Sequence, residues 1–121
     1  MKIGTDIIQV SRVEDALHRH GEKFRNRFLS SSEILLAKKV ESLAGFWAAK
    51  EAISKALGCG IGSRLGFHDI EITKDPRGAP HFALSKDAQE LHPIHSASLS
   101  ISHDGGFAIA VVAITMQEGK D

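Results

Sequence analysis

The run FWAAKEAISKALGCGIG, residues 46–62, constrains this chain more than any other stretch. Phe46, Ala49, Ile53, Ala56 and Leu57 recur at helical spacing, which predicts a long Ala-rich helix over residues 42–57 packed on the rest of the fold. Gly58 is placed to end that helix. Yet the run also carries Lys50, Glu51 and Lys55. Glu51 and Lys55 are four residues apart on one helix face, with Trp47 one turn earlier. They form either a surface pair worth a few tenths of a kcal/mol or part of a reactive site, and helical spacing leaves both open.

The glycines that follow, GCGIG, do not make a nucleotide fingerprint. They lack the Gly-x-Gly-x-x-Gly spacing and any following Lys-Ser/Thr, and they close a helix instead of opening one. A helix C-terminus carries partial negative charge and repels phosphate. Such glycines serve as a helix stop and turn, or let a ligand lie close to the backbone.

The 121 residues suit one domain, read here as 1–121. Fifteen basic and fifteen acidic residues balance, so recognition by charge has to be local and a polyanion-coated partner such as nucleic acid or an acidic membrane is disfavoured. Cys59 is the one cysteine, which excludes an internal disulfide and reads as a small packed residue. Residues 1–10 carry an acid within a short apolar run, and residues 107–114 are too few to span a bilayer. These features lead us to expect a soluble cytoplasmic protein.

Along the chain the element types mix. Residues 2–8 read as a strand, and Ser11 with Glu14 as a capping box opening a helix to His20, stopped by Gly21. Ser30 with Glu33 repeats the capping signal ahead of Ile34, Leu35, Leu36 and Ala37. Residues 69–73 alternate as a strand, and Asp75-Pro76-Arg77-Gly78 turns into a partner strand at 80–84. A short helix at 85–91 precedes strands at 96–102 and 107–115, joined through His103-Asp104-Gly105-Gly106. The expected class is α+β, an antiparallel sheet packed on a long central helix.

Asp6 lies in a strand whose neighbours want burial, and a lone carboxylate there needs a partner, a hydrogen bond or a metal. Asp6 together with Glu51 would make a hard oxygen site suited to Mg²⁺, with a nearby lysine to meet phosphate. His103, at the end of SISHDGG, is either a third site residue or an ordinary turn histidine.

Five blocks occur in order: residues 4–12 (GTDIIQVSR), 28–33 (FLSSSE), 46–62, 68–80 (HDIEITKDPRGAP) and 98–112 (SLSISHDGGFAIAVV). Together they resemble the holo-[acyl-carrier-protein] synthase family of 4'-phosphopantetheinyl transferases over nearly the whole chain. The resemblance implies the 4'-phosphopantetheinyl transferase fold and a reaction of fatty-acid synthesis. In it the 4'-phosphopantetheine arm of coenzyme A passes to a serine of apo acyl carrier protein, releasing adenosine 3',5'-bisphosphate.

By that resemblance Asp6 and Glu51 would be Mg²⁺ ligands and Lys55 would meet a phosphate or the leaving group. Glu51, His103 or a metal-bound water would be the base, with His103 near the nucleotide end. Gly58, Gly60 and Gly62, with Arg64, would line the path of coenzyme A. Arg12 and Arg19, seven residues apart on the first helix, with Lys23, Arg25 and Arg27 following, would receive the acidic carrier protein. The family assembles as a homotrimer with active sites at subunit interfaces. One departure stands out: Phe46-Trp47 occupies the place where many relatives have Arg-Phe, and Lys38, Lys39 or Arg64 would have to supply the lost cation. Lys50 is left to coenzyme A, to another subunit or to solvent. Two readings from other classes remain, a non-catalytic coenzyme A or nucleotide-binding module and a pure interaction domain. Neither requires Asp6 together with Glu51.

Overall fold

A computed structural model describes residues 1–118, so the last three residues of the expected 1–121 domain lie outside the described residues. The expected α+β class is found. Strand β1 (Lys2–Gln9) leads into helices α1 (Val10–His20), α2 (Glu22–Phe28), α3 (Ser31–Leu36) and α4 (Val40–Ala56). A 3-10 turn (Phe67–Asp69), the hairpin β2 (Ile70–Lys74) and β3 (Pro80–Leu84), helix α5 (Lys86–Leu91) and the hairpin β4 (Ile94–Asp104) and β5 (Phe107–Met116) complete it. The main sheet is antiparallel in the order β1-β5-β4, and β2-β3 forms a second, two-stranded sheet.

Period-two alternation decides which side of the main sheet meets the helix. On β5, Ala108, Ala110, Val112 and Ile114 are fully buried, while Phe107, Ile109 and Val111 stay exposed. The register Gly4↔Val112 and Asp6↔Ala110 puts Gly4 and Asp6 on that same buried face. There α4 lies unusually close. A Cβ added to Gly4 would stand 2.0 Å from the Ala52 carbonyl oxygen, so only glycine permits this approach. Asp6, two residues further along the face, is thereby carried alongside the helix.

Helix α4 is buried nearly all round, not on one face as its periodicity suggests. From Leu43 to Ala56 only Trp47, Glu51 and Lys55 escape burial. They succeed one another at four-residue steps and form a single line along the helix.

Lys50 corrects its expected roles. It is fully buried, away from solvent. Its ammonium donates to Glu33 Oε1 at 2.8 Å, to the Phe28 carbonyl at 2.7 Å and to the Phe67 carbonyl at 3.0 Å. Glu33, also fully buried, accepts in turn from the Ser30 N–H at 2.9 Å and the Ile72 N–H at 2.8 Å. The reason is topological: α2, α3 and β2 close over the side of α4 that bears Lys50, and only a complete hydrogen-bond set makes the buried charges tolerable. Burial lowers the Lys50 pKa from its ordinary value, and the bond to Glu33 opposes that shift.

Several boundaries also differ. The capping box at Ser30 and Glu33 forms, but the one expected at Ser11 and Glu14 does not. Strand β1 runs directly into α1, Gln9 takes the cap position, and the Val10 N–H donates instead to the Gly106 carbonyl at 2.9 Å. Helix α2 was not foreseen, and its Phe24 and Phe28 are core residues. His103 and Asp104 belong to β4, so the turn itself is Gly105-Gly106, both at positive φ. Asp69 precedes β2 and accepts from the Gly66 N–H and the Ser85 hydroxyl.

The hub makes a quantitative claim. Lys50→Met strands the Glu33 carboxylate in the core and should cost about 3–5 kcal/mol of stability. Adding Glu33→Gln should cost less than the sum of the two single changes by more than about 1 kcal/mol. Urea unfolding of the three variants checks this, and additive losses would contradict it.

Candidate active site

Asp6 from β1 and Glu51 and Lys55 from α4 meet at one edge of the helix. The Lys55 ammonium donates to Asp6 Oδ1 at 2.8 Å and to the Thr5 carbonyl at 3.2 Å. The helix-surface pair of Lys55 with Glu51 therefore does not form. Asp6 takes the lysine because its strand runs directly beneath the last turns of α4.

Glu51 has no side-chain hydrogen bond among the described residues, and its pKa is raised. Burial is the main cause, the Asp6 charge adds to it, and Lys55 partly offsets both. Two carboxylates thus lie within electrostatic reach of one another with one cation, paired to Asp6, and a residual excess of negative charge. An oxygen-seeking dication relieves such an excess, and Mg²⁺ needs only one or two protein carboxylates because water and phosphate fill its shell. No group of three or more His, Cys, Asp or Glu side chains converges among the described residues. A metal held by protein alone is not what this donor set offers.

Both carboxylates open into a cleft of about 280 Å³ shared with Arg12, Val13, Phe24 and Trp47. Its aromatic floor is fixed by the stacking of Trp47 on Phe24 at 5.9 Å and the edge contact of Trp47 with Phe28 at 5.0 Å. Arg12 continues into a shallower cleft of about 250 Å³ with Asp15, Arg19 and His20. The basic stripe and the carboxylate pair are therefore one continuous surface. Lys23 lies exposed on α2, and Arg25 pairs with Glu22.

The remaining expected residues are placed differently. Gly58 and Gly60 adopt φ of 83° and 67°, and the N–H groups of Cys59 and Gly60 fold back onto the Ser54 carbonyl. Gly62 bridges to Leu65, Arg64 is exposed, and Cys59 is half-buried. His103 does not join Asp6 and Glu51 within the chain. It sits on β4, the opposite edge strand, with β5 between. It lines a separate cavity of about 160 Å³ with Ser42, Phe46 and Lys74. Lys38 and Lys39 are exposed outside that cavity.

Four residues escaped the sequence reading in the roles they take here. Arg12 was assigned only to a partner, although a strand running straight into a helix places it beside Asp6. Trp47 and Phe24 form the floor. Lys74, exposed at the end of β2, continues the phase of the buried Ile70 and Ile72, and a lysine in that phase was the available signal. A further cavity of about 400 Å³ between β3 and β4, lined by His81, Gln89 and His95, contains no carboxylate or lysine.

The model of the 4'-phosphopantetheinyl transferase superfamily matches residues 2–112. The chain belongs to that superfamily. It is 64% identical to the holo-[acyl-carrier-protein] synthase of Sulfurovum sp. (strain NBC37-1) over 97% of this chain and 98% of the relative. The crystal structure of Helicobacter pylori holo-[acyl-carrier-protein] synthase in complex with coenzyme A superposes with a TM-score of 0.91 at 54% identity, covering 93% of this chain and 99% of that one. The synthase from Neisseria meningitidis gives 0.85 at 35% identity, covering 94% and 97%.

The strained carboxylate pair predicts a pH effect. A glutamate whose folded pKa is raised contributes stability that is complete below its unfolded value and lost as pH rises through the folded one. Glu51→Gln removes that loss. In metal-free buffer the variant should melt a few degrees above wild type at pH 7, with the gap closing towards pH 4. Equal melting temperatures at both pH values would contradict the burial and repulsion described.

Proposed function

We propose that this chain is a holo-[acyl-carrier-protein] synthase, transferring 4'-phosphopantetheine from coenzyme A to a serine hydroxyl of apo acyl carrier protein. The observation that carries the reading is the meeting of Asp6, Glu51 and Lys55 at the mouth of a cleft that continues into the Arg12 and Arg19 stripe. The family and the names of the relatives point the same way.

In this reading the serine oxygen attacks the β-phosphorus of the coenzyme's diphosphate. The bond from that phosphorus to the bridging oxygen breaks, adenosine 3',5'-bisphosphate leaves, and the serine proton passes to Glu51, His103 or water. Asp6 and Glu51 would hold Mg²⁺, which when bound neutralises charge on the diphosphate oxygens. Lys55, already fixed on Asp6 and Thr5, stands ready to meet a phosphate oxygen as charge moves to the leaving group. Gly58, Gly60, Gly62 and Arg64 border the path of the coenzyme. Arg12, Arg19 and Lys23 would draw in the acidic carrier protein and orient its serine at the cleft.

A homotrimer suits two features of the chain. The outer sheet face leaves Ile3 63%, Ile7 59%, Ile109 42% and Val111 42% exposed, an apolar patch that association would cover. His103 is also out of reach of its own Asp6, so a neighbour's His103 would complete each site. The reaction is a cytoplasmic one, and among the described residues no helix is long and apolar enough to cross a membrane.

Incubation with Mg²⁺, coenzyme A and apo carrier protein should add the mass of one phosphopantetheine to the carrier. Asp6→Ala and Glu51→Gln should each abolish nearly all transfer, and the double variant should be no worse than either. Lys55→Met should lower turnover about ten- to a thousandfold. Binding of coenzyme A without any transfer would make the chain a binding module instead.

A further inference from the structure

Helix α1 carries one acid inside its basic stripe. Arg12, Asp15, Ala16 and Arg19 share a helix face by their spacing, and with His20 they line the cleft of about 250 Å³. The three charged side chains of that row are exposed. Asp15 stands one turn from each arginine, and an acid four residues ahead of a base is the favourable order for a helical ion pair. Neither pair forms. The ion pairs among the described residues are Arg25 with Glu22, Lys50 with Glu33, Lys55 with Asp6 and His81 with Asp75. The Asp15 carboxylate is therefore not spent on cancelling the stripe from within. It is presented, with both arginines, to whatever docks on α1.

Geometry turns the three charges into a pattern. A helix rises 1.5 Å per residue, so Arg12 and Arg19 lie about 10 Å apart along the axis with Asp15 between them. An acidic partner thus meets attraction, repulsion and attraction in that order. A partner with two acids at about that separation and a neutral or basic group between them satisfies all three charges. One that is acidic throughout sets a carboxylate against Asp15, and like charges brought together at an interface are costly. Two arginines alone would accept any acidic surface. The acid between them adds the repulsion that selectivity requires.

We propose that Asp15 is a specificity-determining residue of the carrier-docking face. It admits carriers that place a non-acidic group between two acids and rejects carriers that are acidic across the whole contact. This rests on the transferase reading above, in which Arg12 and Arg19 receive the carrier. Asp15 does not line the cleft that holds Asp6 and Glu51, so its effect falls on the carrier and not on coenzyme A.

The test measures kcat/KM for apo acyl carrier protein and for a set of its variants in which one exposed non-acidic residue at a time becomes Glu. The enzymes are wild type, Asp15→Asn and Asp15→Glu, with thermal melts confirming that each enzyme and carrier folds. With wild type, at least one carrier variant should lose about tenfold or more, as expected where like charges meet at a docking surface. Asp15→Asn should restore most of that loss for that carrier, and Asp15→Glu should keep it. The KM for coenzyme A should stay within about twofold of wild type in both enzymes. An Asp15→Asn enzyme that rescues no carrier variant, or that raises kcat/KM for all of them by one common factor, overturns the assignment. Wild type that transfers to no carrier overturns the transferase reading on which it stands.

Discussion

The buried pair of Lys50 and Glu33 holds the remainder of the structure in place. It sits one residue before Glu51 and ties α4 to the ends of α2 and the 3-10 turn through the Phe28 and Phe67 carbonyls, and to β2 through the Ile72 N–H. A lysine with its hydrogen bonds satisfied in the core fixes the rotation of its helix. With Lys50 pointing into the α3 side, the only line of α4 left open between Leu43 and Ala56 is Trp47, Glu51 and Lys55, and it faces the cleft beside β1. Such a pair adds little net stability compared with apolar packing, because desolvation offsets most of the attraction. Its effect is to make one orientation of α4 far better than any other.

The second constraint is distance. Gly4 lets the α4 backbone settle against β1, and the alanines at 48, 49, 52 and 56 present no bulk to prevent it. The same approach brings two carboxylates together that would separate in a free chain. Their repulsion and the partial burial of Glu51 are costs carried by a core that includes Phe28, Phe46, Leu43 and Ile53. A pair of acids held together against their own charge is poised for a dication, and Lys55 softens the repulsion without cancelling it. The aromatic floor keeps Trp47 from collapsing into the cleft.

Much of this was legible from the residues, and the exceptions have physical causes. β3 was bounded correctly because the Asp75-Pro76-Arg77-Gly78 turn and the capping Ser85 fix both ends locally. The Ser30 cap formed because its partners are three residues apart. The equivalent signal at Ser11 failed because a distant group, the Gly106 carbonyl, satisfied the helix start first. Asp6 and Glu51 stood out as acids in apolar settings, which is a local property. Lys50 did not, since helical spacing places it beside Glu51 in angle but says nothing of what covers that side. Lys74 was overlooked because its ammonium rests over the ring of Phe46, which meets it only in three dimensions. Whether Lys55 pairs with Glu51 or with Asp6 likewise depended on how closely β1 approaches the helix.

The central claim is that Asp6 and Glu51 act as one site for a divalent cation that coenzyme A helps to hold. Mn²⁺, a spectroscopic stand-in for Mg²⁺, tests it directly through electron paramagnetic resonance. Titrating Mn²⁺ into the wild-type protein with coenzyme A present should immobilise one ion per chain, and omission of the coenzyme should weaken binding. Asp6→Ala and Glu51→Gln should each abolish that signal while the protein remains folded. A Glu51→Gln protein that binds Mn²⁺ with wild-type affinity in the presence of coenzyme A would contradict the account.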